Sequence, residues 1–260
     1  MKGESEKRVV VSLTSFPGAI EYAAGAVRSI LAGSVLPDKI VLYVTMRQFD
    51  GKPLPSELIE LERNNEIFEI RNYDFDIRSY CELIPAIADF PNATIVTIDD
   101  DVYYHRDMLK VLLRLHVEFP QHIIAHRAKR IAFGQPYKKW KKYRWYHFLT
   151  KRIIDRADTL QTGVGGALYP PGSLDASMLD PEQFTRLAPT TDDIWFWAAA
   201  VANDRRVIPV PFGYNKPKSL GKPRELSLKT VNFKSGTDRN TAALQNIIKH
   251  YPKVARYVEK

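Results

Sequence analysis

Apolar positions along the chain fall into two alternating patterns. Short β-branched runs, "VVVSLT" (9–14), "KIVLYVT" (39–45), "IFEIRN" (67–72) and "ATIVTI" (93–98), read as strands. Between them, "AIEYAAGAVRSILAG" (19–33), "PSELIELERN" (55–64) and "SYCELIPAIADF" (79–90) space their apolar residues as helices do. This alternation predicts parallel strands joined by crossover helices, an α/β Rossmann-like sheet. In such sheets a ligand lies beyond the C-terminal ends of the strands.

The second half is patterned less regularly. "HIIAHRA" (122–128) and "RVIPVP" (206–211) read as strands, and helices are predicted from near Arg106, from Thr191 and from near Thr241. The Lys/Pro-rich segment 216–224 reads as a loop. No internal repeat or linker divides the chain, which predicts one domain over 1–260.

Composition narrows the partners only a little. With 45% hydrophobic and 26% charged residues over 260 positions, a sizeable core and an ordinary globular surface are expected. Lys plus Arg outnumber Asp plus Glu by 38 to 30, a net charge of +8 that suits a nucleotide, an acidic glycan, a membrane surface or nucleic acid alike. Cys81 is the only cysteine, which excludes an intramolecular disulfide and a Cys-based zinc site. "MKGESEKR" lacks the apolar stretch of a signal peptide, and "IWFWAAAVA" (194–202) is too short to span a bilayer. A cytoplasmic compartment is the default expectation.

The chemistry concentrates in "TIVTIDDDVYY" (94–104), where three carboxylates follow an apolar strand. They repel one another unless a cation, donors or water compensate. On a strand, Asp99 and Asp101 share a face and Asp100 points away, so two hard oxygen ligands are offered to Mg²⁺ or Mn²⁺. The alternative is that they cap the helix starting near Arg106; capping accounts for one or two acids better than for three. A calcium loop starting at Asp99 fails, with Tyr104 and Lys110 where Gly and Glu are required. "GVGGAL" (163–168) ends on Leu168 and runs into Pro170 and Pro171, so it is no dinucleotide fingerprint, and there is no Walker A motif.

In order along the chain, "VSLTSFPGAI", "DIRSYCELIPAI", "IVTIDDDVYY", "TGVGGALYPPGSL" and "TDDIWFWAAA" resemble the GT-A glycosyltransferases, in particular small bacterial enzymes of surface-polysaccharide synthesis. The resemblance implies a GT-A fold with a nucleotide-sugar-binding half (about 8–104) and a less regular acceptor-binding half (about 105–260). It implies that Asp99, Asp100 and Asp101 form the metal and donor motif, with Asp101 the direct ligand of Mn²⁺ or Mg²⁺, Asp99 shared between metal and sugar, and Asp100 contacting ribose or sugar hydroxyls. Thr14, Ser15 and Phe16 would line the nucleoside end with Asp76, Arg78 and Tyr80; Thr14 to Pro17 also suits a plain strand-to-helix turn, and Tyr80 a core position.

In "TTDDIWFW", Asp192 and Asp193 fall in a first helical turn, where acids are favourable in their own right. In inverting enzymes of this type a carboxylate at a matching helix start deprotonates the acceptor hydroxyl, which implies Asp193 as base and Asp192 as its support; in a retaining enzyme Asp193 would instead orient substrate. Gly165 and Gly166 allow either a close backbone approach to an acceptor or a tight turn. Trp195 and Trp197 cannot share a helix face, which leaves one for the core and one, Trp195, for stacking on a sugar.

The implied partners are a nucleotide-sugar donor, a UDP-sugar, and a glycan or lipid-linked acceptor, with no nucleic acid. "YKKWKKYRWYHF" (137–148) interleaves cations with aromatics and suits a solvated basic helix, an acceptor wall or peripheral attachment to the inner face of a membrane. Two rivals stand beside this reading: a nucleotidyltransferase, for which "TSFPGAI" is not the expected glycine-rich basic loop, and a non-catalytic binder of anionic glycan or nucleic acid, which leaves the three aspartates unexplained.

Overall fold

The computed structural model describes residues 8–144, 154, 156–211, 218–226, 230, 232–233 and 238–258. The strands are β1 (Val9–Ser15), β2 (Lys39–Val44), β3 (Phe68–Asn72), β4 (Thr94–Thr97), β5 (Val102–Tyr103), β6 (Ile123–Ala125), β7 (Ala128–Arg130), β8 (Lys141–Lys142), β9 (Thr159–Gln161), β10 (Ala167–Tyr169), β11 (Val207–Pro209) and β12 (Lys218–Ser219). Helices α1 (Ile20–Leu31), α2 (Ser56–Arg63), α3 (Ile84–Asp89), α4 (Met108–Glu118), α5 (Pro181–Leu187) and α6 (Asp192–Ala202) precede a C-terminal helix, Arg239–His250.

Seven strands form the central sheet in the order β11-β6-β10-β4-β1-β2-β3. β1 runs parallel to both β2 and β4, and β2 to β3, as the alternating pattern predicted. Successive residues of these strands feed opposite layers. Val10, Val41 and Tyr43 pack with α6, whereas Val11, Leu13, Ile40 and Leu42 pack with α1, α2 and α4. Burial on both faces is why these strands read as apolar runs rather than as alternation.

Three departures from the sequence reading matter for the site. First, "GVGGALYPP" contributes β10, which lies antiparallel between β4 and β6 and so extends the sheet past the acids. Second, "HIIAHRA" breaks after Ala125 into β6 and β7, the latter joining β8 and β9 in a separate three-stranded sheet. His126 sits at the break, buried, its Nε2 3.0 Å from the Met108 carbonyl oxygen, and burial lowers its pKa to about 4. Third, 137–144 is a 3₁₀ turn followed by β8 rather than a basic helix, and 145–148 lies outside the described residues. Among the described residues no helix is long and apolar enough to cross a membrane.

Helix α6 is apolar all round. Ile194 to Ala202 are all buried, which makes it a core helix rather than a half-exposed one. Its N-terminus alone meets solvent, and that end faces the acids after β4.

Candidate active site

β4 ends at Thr97, so Asp99, Asp100 and Asp101 lie in the turn between β4 and β5, and strand alternation does not govern where they point. The turn is braced by Tyr104, whose buried hydroxyl accepts the Asp99 backbone N–H at 2.8 Å. Asp100 is the most buried of the three. Its Oδ2 accepts the Ser15 hydroxyl at 2.5 Å and its Oδ1 lies 3.1 Å from Lys222 Nζ. The same ammonium lies 2.9 Å from Asp101 Oδ2. Lys222 reaches the turn because β12 pairs antiparallel with β5 and the Leu220 N–H donates to the Asp101 carbonyl at 2.8 Å.

A second pair of acids meets this turn. Asp192 is buried, with its Oδ1 accepting the Ser79 hydroxyl at 2.6 Å. Asp193 is the partly open member, and its Oδ1 accepts the Gly163 N–H at 3.0 Å. The meeting point is Gly163: a Cβ placed there would stand 3.1 Å from Asp99 Oδ1, 3.7 Å from Asp193 Oδ1 and 3.8 Å from Glu82 Oε1. Acids from the turn after β4, a helix start and a 3₁₀ turn therefore converge around Gly163 at the C-terminal edge of the sheet.

The electrostatics follow from that crowding. Burial, then the charges of Asp101 and Asp100, pushes Asp99 up to about 7. Burial also raises Glu82 and Asp193 well above the carboxylate range, with Asp192 and Asp99 adding to both. Asp100 is raised by burial against the opposing pull of Lys222 and Ser15. For Lys222, burial disfavours the charge, but the two aspartates overcome it and hold the ammonium above its usual range. Hard carboxylate oxygens carrying more negative charge than their neighbours neutralise suit a divalent cation. As folded here, among the described residues, no three acidic, His or Cys side chains are arranged as a ready ligand set.

Other expectations are redistributed. Thr14 and Ser15 stand at the end of β1, but the Thr14 hydroxyl donates to the Tyr43 carbonyl and that of Ser15 to Asp100. Phe16 is half-buried at the turn into α1, its carbonyl accepting the Ala19 and Ile20 N–H groups. Asp76 and Arg78 are exposed at the rim; the Arg78 N–H donates to Asp76, and its φ of 56° is in the left-handed region.

Tyr80 is core. It is fully buried, stacks on Phe184 at 4.0 Å and donates to the Ala188 carbonyl. Trp195 has no face open to a sugar, since it too is fully buried, with its Nε1 donating to the Met178 carbonyl and its ring edge-on to Phe184 and Tyr251. Trp197 is buried likewise. Gly165 and Gly166 are buried, with φ of 115° and 92°, and pack on His126 and Met108. They turn the chain into β10, and the close approach to the acids belongs to Gly163 instead.

Sequence reasoning missed Lys222, Glu82 and Ser79. The signal for Glu82 was a lone acid inside the apolar run "SYCELIPAI", whereas nothing local marks Lys222 among the other lysines of its segment.

No protein family matches the chain by its sequence, and no curated protein does. Solved structures do. A TarS structure from S. aureus (residues 1–349) superposes with a TM-score of 0.54 at 14% identity, covering 96% of this chain and 83% of that one. Mannosyltransferase PcManGT from Pyrobaculum calidifontis, in complex with GDP-Man and Mn²⁺, gives 0.54 at 13% identity over 97% and 74%. Another TarS structure, in complex with UDP, gives only 0.49 at 14% identity, over 77% of this chain and 56% of that one. The sheet order, the flanking helices and the two superpositions at a TM-score of 0.54 show that the chain has the GT-A glycosyltransferase fold.

Proposed function

We propose that the chain is a metal-dependent, inverting glycosyltransferase that moves a sugar from a nucleoside-diphosphate sugar, a UDP-sugar, to a glycan or lipid-linked acceptor of a bacterial surface polysaccharide. The carrying observation is the convergence of Asp99 and Asp193 on Gly163, which puts the strand-end acids and the helix-start acids in one cleft. The fold shared with a mannosyltransferase solved with GDP-Man and Mn²⁺ supports the sugar-nucleotide donor. Uracil as the base rests on the sequence resemblance alone.

Asp99 and Asp101 would hold Mn²⁺ or Mg²⁺, with Asp101 as the direct ligand, and Asp100 would contact the ribose or sugar of the donor. Bound there, the ion supplies positive charge against the leaving diphosphate. Asp193, open to the cleft, accepts the proton of the acceptor hydroxyl. Positive charge near the cluster lowers its raised proton affinity and lets it ionise. Asp192, tied to Ser79, fixes the first turn of α6 that carries Asp193. Asp76 and Arg78, exposed at the rim, face the nucleoside end.

Lys138, Lys139, Lys141 and Lys142 are exposed while Trp140 is buried beneath them. This one-sided arrangement supports peripheral attachment to the cytoplasmic face of an anionic membrane.

A hydrolysis and transfer screen over UDP- and GDP-sugars, with Mn²⁺ and with EDTA, tests the proposal. Mn²⁺-dependent turnover of one donor is expected. Absence of turnover with every donor, in the presence of a range of glycan and lipid-linked acceptors, would overturn it.

A further inference from the structure

Lys222 is the one cation within ion-pair distance of the β4–β5 acids among the described residues. It lies 3.1 Å from Asp100 Oδ1 and 2.9 Å from Asp101 Oδ2, with its side chain 14% exposed. Asp101 is the carboxylate that a divalent ion would use directly, and the ammonium stands between it and Asp100.

We infer that Lys222 is a built-in counter-ion which occupies the cation position of the donor site in the ligand-free protein, and which passes to the donor's diphosphate when a divalent ion takes that position. This rests on the metal-dependent reading above. Three observations support it. The ammonium contacts both acids at hydrogen-bond distance, so it and an ion cannot share their oxygens. Among the described residues the two acids otherwise have only the Ser15 hydroxyl to offset them, so a fold without Lys222 would leave the buried Asp100 charge without a counter-ion. Lys222 also hangs on a short link: β12 is two residues long, and the Leu220 N–H is the last backbone anchor to the turn before it. A flexible four-carbon stem with three donors can swing from carboxylate to phosphate without moving that anchor.

The consequence is a coupling between metal and nucleotide. Metal alone must displace an ion pair, and so binds weakly. Metal with a diphosphate binds better, because the displaced ammonium gains a phosphate partner. The donor site is thereby kept from loading with free metal in the absence of its substrate.

The test measures Mn²⁺ affinity of the wild type and of Lys222→Gln, each with and without UDP or GDP, alongside a melting curve. In Lys222→Gln, Mn²⁺ alone should bind about tenfold tighter, and its enhancement by nucleotide should shrink by a similar factor, within the range typical of such couplings. A second measurement uses the wild type only: acetylation of lysines read by mass spectrometry. Labelling of Lys222 should rise when Mn²⁺ is added and fall again when the nucleotide follows. Equal Mn²⁺ affinity in both proteins, or Lys222 labelling unmoved by saturating Mn²⁺, overturns the inference and leaves the metal-dependent reading standing. Mn²⁺ binding to neither protein, with or without nucleotide, overturns both.

Discussion

The two acidic clusters of the cleft look alike in sequence, "DDD" and "DD", yet they are balanced by different means. Asp100 and Asp101 are offset by a full positive charge on Lys222. Asp192 and Asp193 accept hydrogen bonds from neutral donors, the Ser79 hydroxyl and the Gly163 N–H, and the charge of Arg127 also favours an ionised Asp193. A cluster neutralised by a cation is suited to exchange that cation for another. A cluster held by neutral donors, with burial raising its proton affinity, is suited to exchange protons. The same residue type is thus suited to exchange a cation at one end of the site and a proton at the other, and the neighbours decide which.

Substitutions at the two ends should therefore fail differently. Asp101→Ala should abolish transfer and its dependence on Mn²⁺ while the melting curve stays cooperative; full Mn²⁺-dependent activity would break the comparison at its cation end. Asp193→Asn should lower kcat by about 10²–10⁴-fold with donor affinity little changed, as expected when a general base is lost. A merely capping Asp193 would instead give a small fall in melting temperature and near-normal turnover.

Smaller effects sharpen the picture. Gly163→Ala would set a methyl 3.1 Å from Asp99 Oδ1, so that this carboxylate must give by a few tenths of an ångström, while Asp193 Oδ1 at 3.7 Å stays in ordinary contact. A drop in kcat of a few fold, up to about tenfold, is expected, less than the roughly hundredfold that a displacement of about 1 Å costs. Steady-state kinetics on a folded variant checks it.

Glu82 gives a pH test. It is buried among Asp192, Asp99, Asp193 and Asp100, which raise its pKa further beyond the effect of burial. Because its folded pKa is raised, the folded state holds the proton that the unfolded chain releases above the ordinary glutamate range. That stability is present at low pH and is lost as pH rises toward the folded pKa. Glu82→Gln removes the loss, so it should raise the melting temperature by about 2–4 °C at pH 8 and by less at pH 5. An equal shift at both pH values would contradict the account.

The smallest effect on catalysis is expected outside the cleft. Replacing Lys138, Lys139, Lys141 and Lys142 with Gln should abolish sedimentation with anionic vesicles and leave turnover on a short soluble acceptor unchanged. The reverse pattern would make the patch an acceptor wall.

What the sequence disclosed depended on how local the cause was. The strands β1 to β4 were legible because burial on both faces writes an uninterrupted apolar run. β10 was not, because its three residues sit antiparallel in a sheet whose register is set by β4 and β6 rather than by its own pattern. The acids were legible as motifs, but Lys222 was not, since its partners are brought to it by the β12–β5 pairing. The sugar-stacking role expected of Trp195 failed on a signal that was present: "IWFWAAAVA" has no polar face, which marks a helix enclosed on all sides. Gly165 and Gly166 drew attention as a pair, yet their positive φ answers to the chain reversal, and solitary Gly163 meets the carboxylates.

The central claim, one cleft with a cation end and a proton end, is tested most directly by calorimetric titration of UDP and GDP, with and without Mn²⁺, into the wild type, Asp101→Ala and Asp193→Asn. The account predicts Mn²⁺-dependent binding of a nucleoside diphosphate to the wild type and to Asp193→Asn, and its loss in Asp101→Ala. Binding that ignores Mn²⁺, or that survives Asp101→Ala and disappears with Asp193→Asn, would contradict it.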